Sequence, residues 1–253
     1  MKVAVVVQAR TGSTRFPGKV IAPLRGRPML DHVLARVARA AWADVVVLAT
    51  TVDAGDDVLV PIAAARGALV VRGSVEDVLS RFVAAADLVQ PDVLVRVTSD
   101  CPLLDPRLID RVTGTLVAAG ADYASNLEPP SYPDGYDVEA MTVECLRRIA
   151  AGAELPYLRE HVTALARENS GQFRRVSVSC RQDYSNIRLT VDTPGDLARV
   201  EAVLAALGRD DGGLGAVLAA LRARPDLRDA SGLPARDERY LAQRLAAESA
   251  REQ

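Results

Sequence analysis

Four short apolar runs dominate the first hundred residues: VAVVV (3–7), DVVVLAT (44–50), ALVVR (68–72) and DVLVRVT (92–98). They are rich in β-branched residues and lack polar alternation, which is the pattern of central strands buried on both faces. Helical patterns lie among and after them. MLDHVLARVARAA places Leu30, Val33, Leu34, Val37 and Ala41 on one face. SVEDVLSRFVAAADLV opens on Ser74 with Asp77 three residues on, a capping-box-like start. DPRLIDRVTGTLVAAG carries Pro106 near its first turn and Gly120 as its stop. Alternation of this kind predicts an α/β fold: a mixed, mostly parallel sheet with helices on both faces.

The middle of the chain departs from that rhythm. Strand-like runs recur at 121–126, 137–142, 173–179 and 187–191, and PPSYPDGYDVEAMT (129–142) carries a Pro-Asp-Gly turn, so a hairpin-like excursion projecting from the sheet is expected. After Asp192 the pattern is helical, over 193–208 and 215–227, with an Arg/Glu/Ala-rich surface helix from 235. With no internal repeat and no low-complexity linker, the expectation is one domain: residues 1–208 as its body and 209–253 as a helical C-terminal extension.

Composition narrows the partners. Of 253 residues 49% are apolar, and the formal net charge is −2. No global basic field exists to draw nucleic acid, so anion binding must be local. No apolar run reaches the ~18–20 residues of a membrane span, and the start of the chain lacks a signal-peptide layout. Cys101, Cys145 and Cys180 are odd in number and widely spaced. They point to a reducing cytoplasm rather than a disulfide framework.

The local site is VQARTGSTRFPGKV (7–20), directly after the first strand. A Walker loop needs Gly, four residues, then Gly-Lys-Ser/Thr; here five residues separate Gly12 from Gly18, and Val20 follows Lys19. A dinucleotide Gly-x-Gly-x-x-Gly is absent. Two readings stay open. The stretch is either a solvated turn with incidental charges or an exposed loop wrapping a nucleoside triphosphate with Arg10, Arg15 and Lys19. Two strand ends add carboxylates: Asp100 in VTSDCPLLDP and Asp192 in LTVDTPGD. Each could simply cap a helix or turn. Together they could bind one hard cation, since Mg2+ takes a few carboxylates plus substrate phosphate oxygens.

QARTGSTRFPGKV, RGSVEDVLSRF, VTSDCPLLDP, SNLEPPSYPDGYDVE, LREHVT and IRLTVDTPGD, in that order, resemble the SpsF-like cytidylyltransferases, relatives of the CMP-KDO and CMP-sialic acid synthetases. The resemblance spans residues 2 to about 205. It implies a Rossmann-like, GT-A-type nucleotidyltransferase that moves CMP from CTP to an acidic sugar and releases pyrophosphate. It implies Arg15 and Lys19 on the triphosphate, with Gln8, Ala9, Arg10, Gly12 and Ser13 along the nucleotide. Arg72, Gly73, Ser74 and Asp77 would flank base and ribose, and Asp100 and Asp192 would hold Mg2+. Related synthetases pair through an excursion like 129–142, which implies a homodimer.

Some details differ. Ser99 stands where the family turn commonly has glycine, and Gly195 where Glu is common. His161, with Arg159 beside it, is either an acceptor contact or an ordinary helix residue. His32 reads as structural. Tyr132 and Glu139 are candidates for the acceptor pocket, while Asp134 reads as turn chemistry. The alternatives are a GT-A-type glycosyltransferase, though TSDCP lacks its Asp-x-Asp, and a non-catalytic nucleotide-binding protein.

Overall fold

The computed structural model describes residues 1–169, 171–228, 236 and 238–251. In chain order it contains β1 (Val3–Gln8), a two-stranded ribbon of β2 (Pro23–Leu24) and β3 (Arg27–Pro28), α1 (Met29–Val37), β4 (Val45–Thr51), α2 (Leu59–Ala65), β5 (Leu69–Gly73), α3 (Val78–Val89) and β6 (Val93–Thr98). Next come α4 (Pro106–Ala119), β7 (Tyr123–Ser125), β8 (Glu139–Thr142), α5 (Val143–Gly152), α6 (Pro156–Glu160), α7 (Ala164–Glu168) and β9 (Arg175–Ser177). Three helices follow: α8 (Pro194–Leu207), α9 (Leu214–Ala223) and α10 (Glu238–Arg251).

The sheet has seven strands in the order β5-β4-β1-β6-β8-β7-β9. β5, β4, β1 and β6 run parallel, β8 is antiparallel to both neighbours, and β9 is parallel to β7. Period-two geometry divides β1 between two cores. Val3, Val5 and Val7 face the cluster built with α1, α4 and α8; Ala4 and Val6 face the cluster built with α3 and α5. Such a strand needs no polar alternation, which is why its run reads as continuously apolar. In register, Gln8 of β1 lies opposite Thr98 of β6, so the two loops that follow leave the sheet side by side at its carboxyl edge.

Five expectations change. β5 is not a central strand buried on both faces: among the described residues it lies at the edge of the sheet with no neighbour on one side, and Leu69 and Arg72 are exposed. Residues 187–191 do not form a sheet strand; a single bridge joins Arg188 to Asp134. Ile187, Leu189 and Val191 are buried in alternation, but their neighbours are loops. Leu189 N–H bonds to the Asp134 carbonyl at 2.7 Å, and Val191 N–H to the Asp100 carbonyl at 2.9 Å. Nor does the excursion project. Residues 131–136 are buried, and the loop is closed from inside by Asn126, whose amide donates to the Tyr136 carbonyl (2.7 Å) and accepts from Val138 N–H (2.8 Å). Of the excursion's start, Pro129 and Pro130 remain exposed. α3 starts later than Ser74: Asp77 is its N-cap, accepting from Ser80 N–H at 2.9 Å. Ala41 lies beyond α1 and is exposed. α4 and α8 form as expected, with Pro106 in the first turn, Gly120 closing α4, and a Thr193–Asp196 capping box on α8.

Candidate active site

The loop after β1 is shaped from beneath by a carboxylate. Asp56 accepts from Thr11 N–H and Thr11 Oγ1, both at 2.7 Å, from Thr50 Oγ1 at 3.1 Å, and from the Thr51 hydroxyl. Burial raises this carboxyl, but the bonds from Thr51, Thr11 and Thr50 outweigh burial and leave it below the usual range. The Thr11 carbonyl then accepts from Ser13 N–H and Gly18 N–H, each at 2.8 Å, which closes the loop. Gly18, at φ 74°, takes the left-handed conformation that starts the short 3-10 turn 19–21. That turn carries Lys19 inward.

Lys19 is 8% exposed, so it is not the solvent-facing loop residue the sequence predicted. Its Nζ donates to Asp100 Oδ2 (3.1 Å), Asp192 Oδ1 (2.9 Å) and the Val191 carbonyl (2.8 Å). Arg15 meets the other oxygen of Asp192 at 3.0 Å, as does Arg188 at 2.9 Å. Arg188 is fixed in turn by Asp134 (2.8 Å) and Asp196 (3.1 Å). The bond from Val191 N–H to the Asp100 carbonyl brings the two carboxylates together across 92 residues of sequence. Burial lowers the Lys19 ammonium, yet the charges of Asp100 and Asp192 leave it above its ordinary value. Burial raises Asp100, but Lys19 and Thr98 hold it well below the carboxylate range.

The donor set fits a hard divalent cation. One ammonium lies about 3 Å from oxygens of both carboxylates, so a cation can be shared by the two. Among the described residues no cluster of three or more His, Cys, Asp or Glu forms a complete protein-only metal site. Two carboxylates completed by phosphate oxygens and water is the arrangement that suits Mg2+.

A cleft of two lobes meets at this junction. The larger, of ≈ 650 Å³, runs along Gln8, Ala9, Arg10, Ser13 and Thr14. The smaller, of ≈ 210 Å³, is lined by Asp134, Glu139 and Arg188 among others. Arg15, Asp100, His161 and Asp192 border both. Against this geometry, the family model described as Cytidylyltransferase matches residues 4–218. The chain belongs to the cytidylyltransferase family. It is 35% identical over 228 residues to the spore coat polysaccharide biosynthesis protein SpsF of Bacillus subtilis, covering 87% of this chain and 94% of that one. It is 31% identical to a 3-deoxy-manno-octulosonate cytidylyltransferase of Anaeromyxobacter dehalogenans, covering 81% of this chain and 98% of that one. A solved cytidylyltransferase from Leptospira borgpetersenii superposes with a TM-score of 0.88 at 29% identity, over 93% of this chain and all of that one. The fold is thus the Rossmann-like nucleotidyltransferase fold.

The chain brings some predicted residues to its cleft and not others. Gln8, Ala9, Arg10, Ser13, Arg15, Lys19, Asp100 and Asp192 all line the larger lobe. Gly12, Arg72, Gly73, Ser74 and Asp77 are not in its lining. Arg72 bonds to the carbonyls of Thr51 and Asp53, and Asp77 caps α3 and pairs with Arg159 at 2.6 Å. Arg159 is occupied by that pairing and lies outside both lobes. Tyr132 is turned into the core, its hydroxyl accepting from Arg111 at 2.9 Å. Glu139 sits on the floor of the smaller lobe, bound by Arg96, Thr163 and the Tyr123 hydroxyl.

Arg81 was missed. It is only 3% exposed, yet it lines the larger lobe beside Arg10, and among the described residues its Nε has no hydrogen-bond partner. Burial, then the charge of Arg10, pull its pKa down to about 10. Among the described residues no salt bridge engages either arginine. Its place three residues past Val78 on a capped helix looked like ordinary helix surface, and only tertiary packing turns it inward. Asp56 left no signal either, since TVDAGDD reads as a turn.

Proposed function

We propose that the chain transfers CMP from CTP to a hydroxyl of an acidic sugar and releases pyrophosphate. The observation carrying this reading is the convergence of Lys19, Arg15, Asp100 and Asp192 where a nucleotide-sized lobe meets a smaller one. An acceptor named for a sugar acid in a relative of 31% identity supports the substrate class.

CTP lies in the larger lobe. Arg10 and Arg81, which have no carboxylate salt bridge among the described residues, attract its negative charge, and Ser13 and Thr14 contribute the loop edge. Arg15 and Lys19 exchange their carboxylates for phosphate oxygens and neutralise the pyrophosphate as it leaves. Asp100 and Asp192 are the residues that would hold Mg2+, which supplies charge neutralisation at the α-phosphate and acidifies the attacking hydroxyl. The acceptor occupies the smaller lobe. Its hydroxyl oxygen forms a bond to the α-phosphorus and loses its proton, and the α–β bridging bond breaks. The protein's contribution is positioning and charge.

A pyrophosphate-release assay tests this, crossing the four nucleoside triphosphates with carboxylate-bearing sugars that include 3-deoxy-manno-octulosonate. Release with CTP and an acid is expected. Asp100→Asn and Asp192→Asn should each lose at least a hundredfold in turnover, and the double variant should be little worse, because the pair acts as a unit. Silence with CTP across every acid would reject the assignment. The family match favours nucleotidyl over glycosyl transfer, and turnover would separate an enzyme from a silent nucleotide binder.

A further inference from the structure

The family match ends at residue 218, yet the cleft takes a wall from beyond it. Arg236, Glu238 and Tyr240 line the smaller lobe, and Glu238 and Ala242 reach the edge of the larger one. The tail predicted as a surface helix is therefore part of the site.

α10 is fastened by polar contacts to His161, which borders both lobes, and to its neighbours Glu160 and Glu168. Gln243 Oε1 lies 2.6 Å from His161 Nε2, and Gln243 Nε2 donates to Glu160 at 2.7 Å. The second bond fixes the orientation of the amide, so His161 Nε2 is the donor in the first. The ring of Tyr240 meets His161 edge-on at 5.2 Å, and its hydroxyl donates to Glu168 at 2.8 Å. Arg167 lies 4.7 Å over the same ring. α10 thereby sets the position of His161.

Of the arginines on the smaller lobe, Arg167, Arg188 and Arg236 stand outside the larger one. Arg167 pairs with Glu128 and lies over the Tyr240 ring. Arg188 is saturated by three carboxylates. Arg96 is held by Glu139 and Gln8, and Arg15 faces Asp192 on the phosphate side. Arg236 bonds to Asp137 and, at 3.3 Å, to the Tyr132 carbonyl. Among the described residues those contacts use two of its five donors. Asp100 and Asp192, at the junction, repel an anion, while Arg236 borders only the acceptor lobe. A planar guanidinium with donors to spare suits a carboxylate.

We propose that Arg236 receives the negatively charged group of the acceptor, with α10 as the wall that makes the C-terminal segment a specificity element. This rests on the acidic-acceptor reading above. It orients the acid away from the junction and its hydroxyl toward the α-phosphate.

Full-length wild type, Arg236→Ala and Arg236→Lys are compared by pyrophosphate release with CTP. The acceptors are the panel acid giving the highest turnover and the neutral primary amide of that acid. In Arg236→Ala the acceptor KM should rise at least tenfold, with kcat and the KM for CTP within about twofold of wild type. The preference for acid over amide should collapse, and Arg236→Lys should recover part of it. A purely structural role would depress acid and amide alike, and that outcome overturns the proposal, as does an unchanged acceptor KM. If no acid on the panel turns over in the wild type, the acidic-acceptor reading itself falls, and this assignment with it.

Discussion

Lys19 is where the residue scale decides most. Two carboxylates brought together should repel, and from sequence alone relief of that repulsion is the expected result of removing one. The structure reverses the sign, because Lys19 already neutralises both. In Lys19→Met the carboxylates face each other without their cation. The variant should be about 3 kcal/mol less stable without ligand, as for a buried pair that loses one partner. The same variant should bind Mn2+ more tightly than wild type in the absence of nucleotide, since no ammonium competes for the oxygens. Its affinity for CTP should fall if, as proposed, the ammonium also binds phosphate. Calorimetric titrations with Mn2+ alone and with CTP alone measure the two directions separately. Unchanged Mn2+ affinity would show that Lys19 does not compete for this place. Lys19 and Asp100 were legible as chemistry because strand-end loops carry ligands in open α/β sheets. Their mutual contact was not, because it depends on how deeply the 3-10 turn 19–21 sinks.

At the scale of elements, the sequence reported burial more faithfully than partnership. The parallel strands β1, β4 and β6 stood out because burial on both faces leaves an unbroken β-branched run, whereas β5 has the same apolar run and lies at the sheet's edge with Leu69 exposed. The run at 187–191 has the same apolar alternation and no ladder, because its amides go singly to loops. The excursion looked like a protruding hairpin because Pro-Asp-Gly is turn chemistry, yet its backbone is held from inside by Asn126. These two irregular segments hold the site in place, and Gly135, beside the Asp134–Arg188 bridge, is one of their closest approaches. It adopts φ +100°, and a Cβ there would stand 2.6 Å from the backbone carbon of Leu189 and the nitrogen of Thr190. Backbone cannot give way as a flexible side chain can, so Gly135→Ala should cost about 3 kcal/mol or more. By pushing on 189–190 it should also displace Asp192 and weaken Mn2+ and CTP binding together. Urea melts and calorimetry check both. A variant with wild-type stability would mean that the excursion and the 187–192 segment are not in the contact described.

For the whole molecule, what matters is how many carboxylates the fold holds ionised. In Asp56, Asp105, Asp196 and Glu139 burial raises the carboxyl, and surrounding hydrogen bonds and arginines more than reverse it. In Asp31 the bond from Arg66 leads, with burial opposing. Asp100 joins them through Lys19, against the effect of its burial. A carboxyl whose folded pKa is depressed contributes stability that is present above its unfolded value, about 4. That contribution is lost as pH falls through the folded value. Two groups act at milder pH and in opposite senses. Burial lifts Asp134 to about 6 despite Arg188 and Arg236, so its ionisation erodes stability as pH rises from about 4 to 6. Burial lowers His32, against its bond to the Leu24 carbonyl, so stability is lost as pH falls through its unfolded value near 6.5. Their partial cancellation should leave the urea midpoint shallow between about pH 5 and 8. Below about pH 4 the depressed carboxyls take up protons together on unfolding, so the midpoint should drop steeply. Asp134→Asn should remove only the Asp134 contribution, steepening the loss of stability from pH 6.5 toward 5 while leaving the acid limb in place. Urea melts at half-unit steps from pH 3 to 8 measure both regions, and a midpoint that holds flat down to pH 3 would mean that these carboxylates are not the ion-paired set the fold describes.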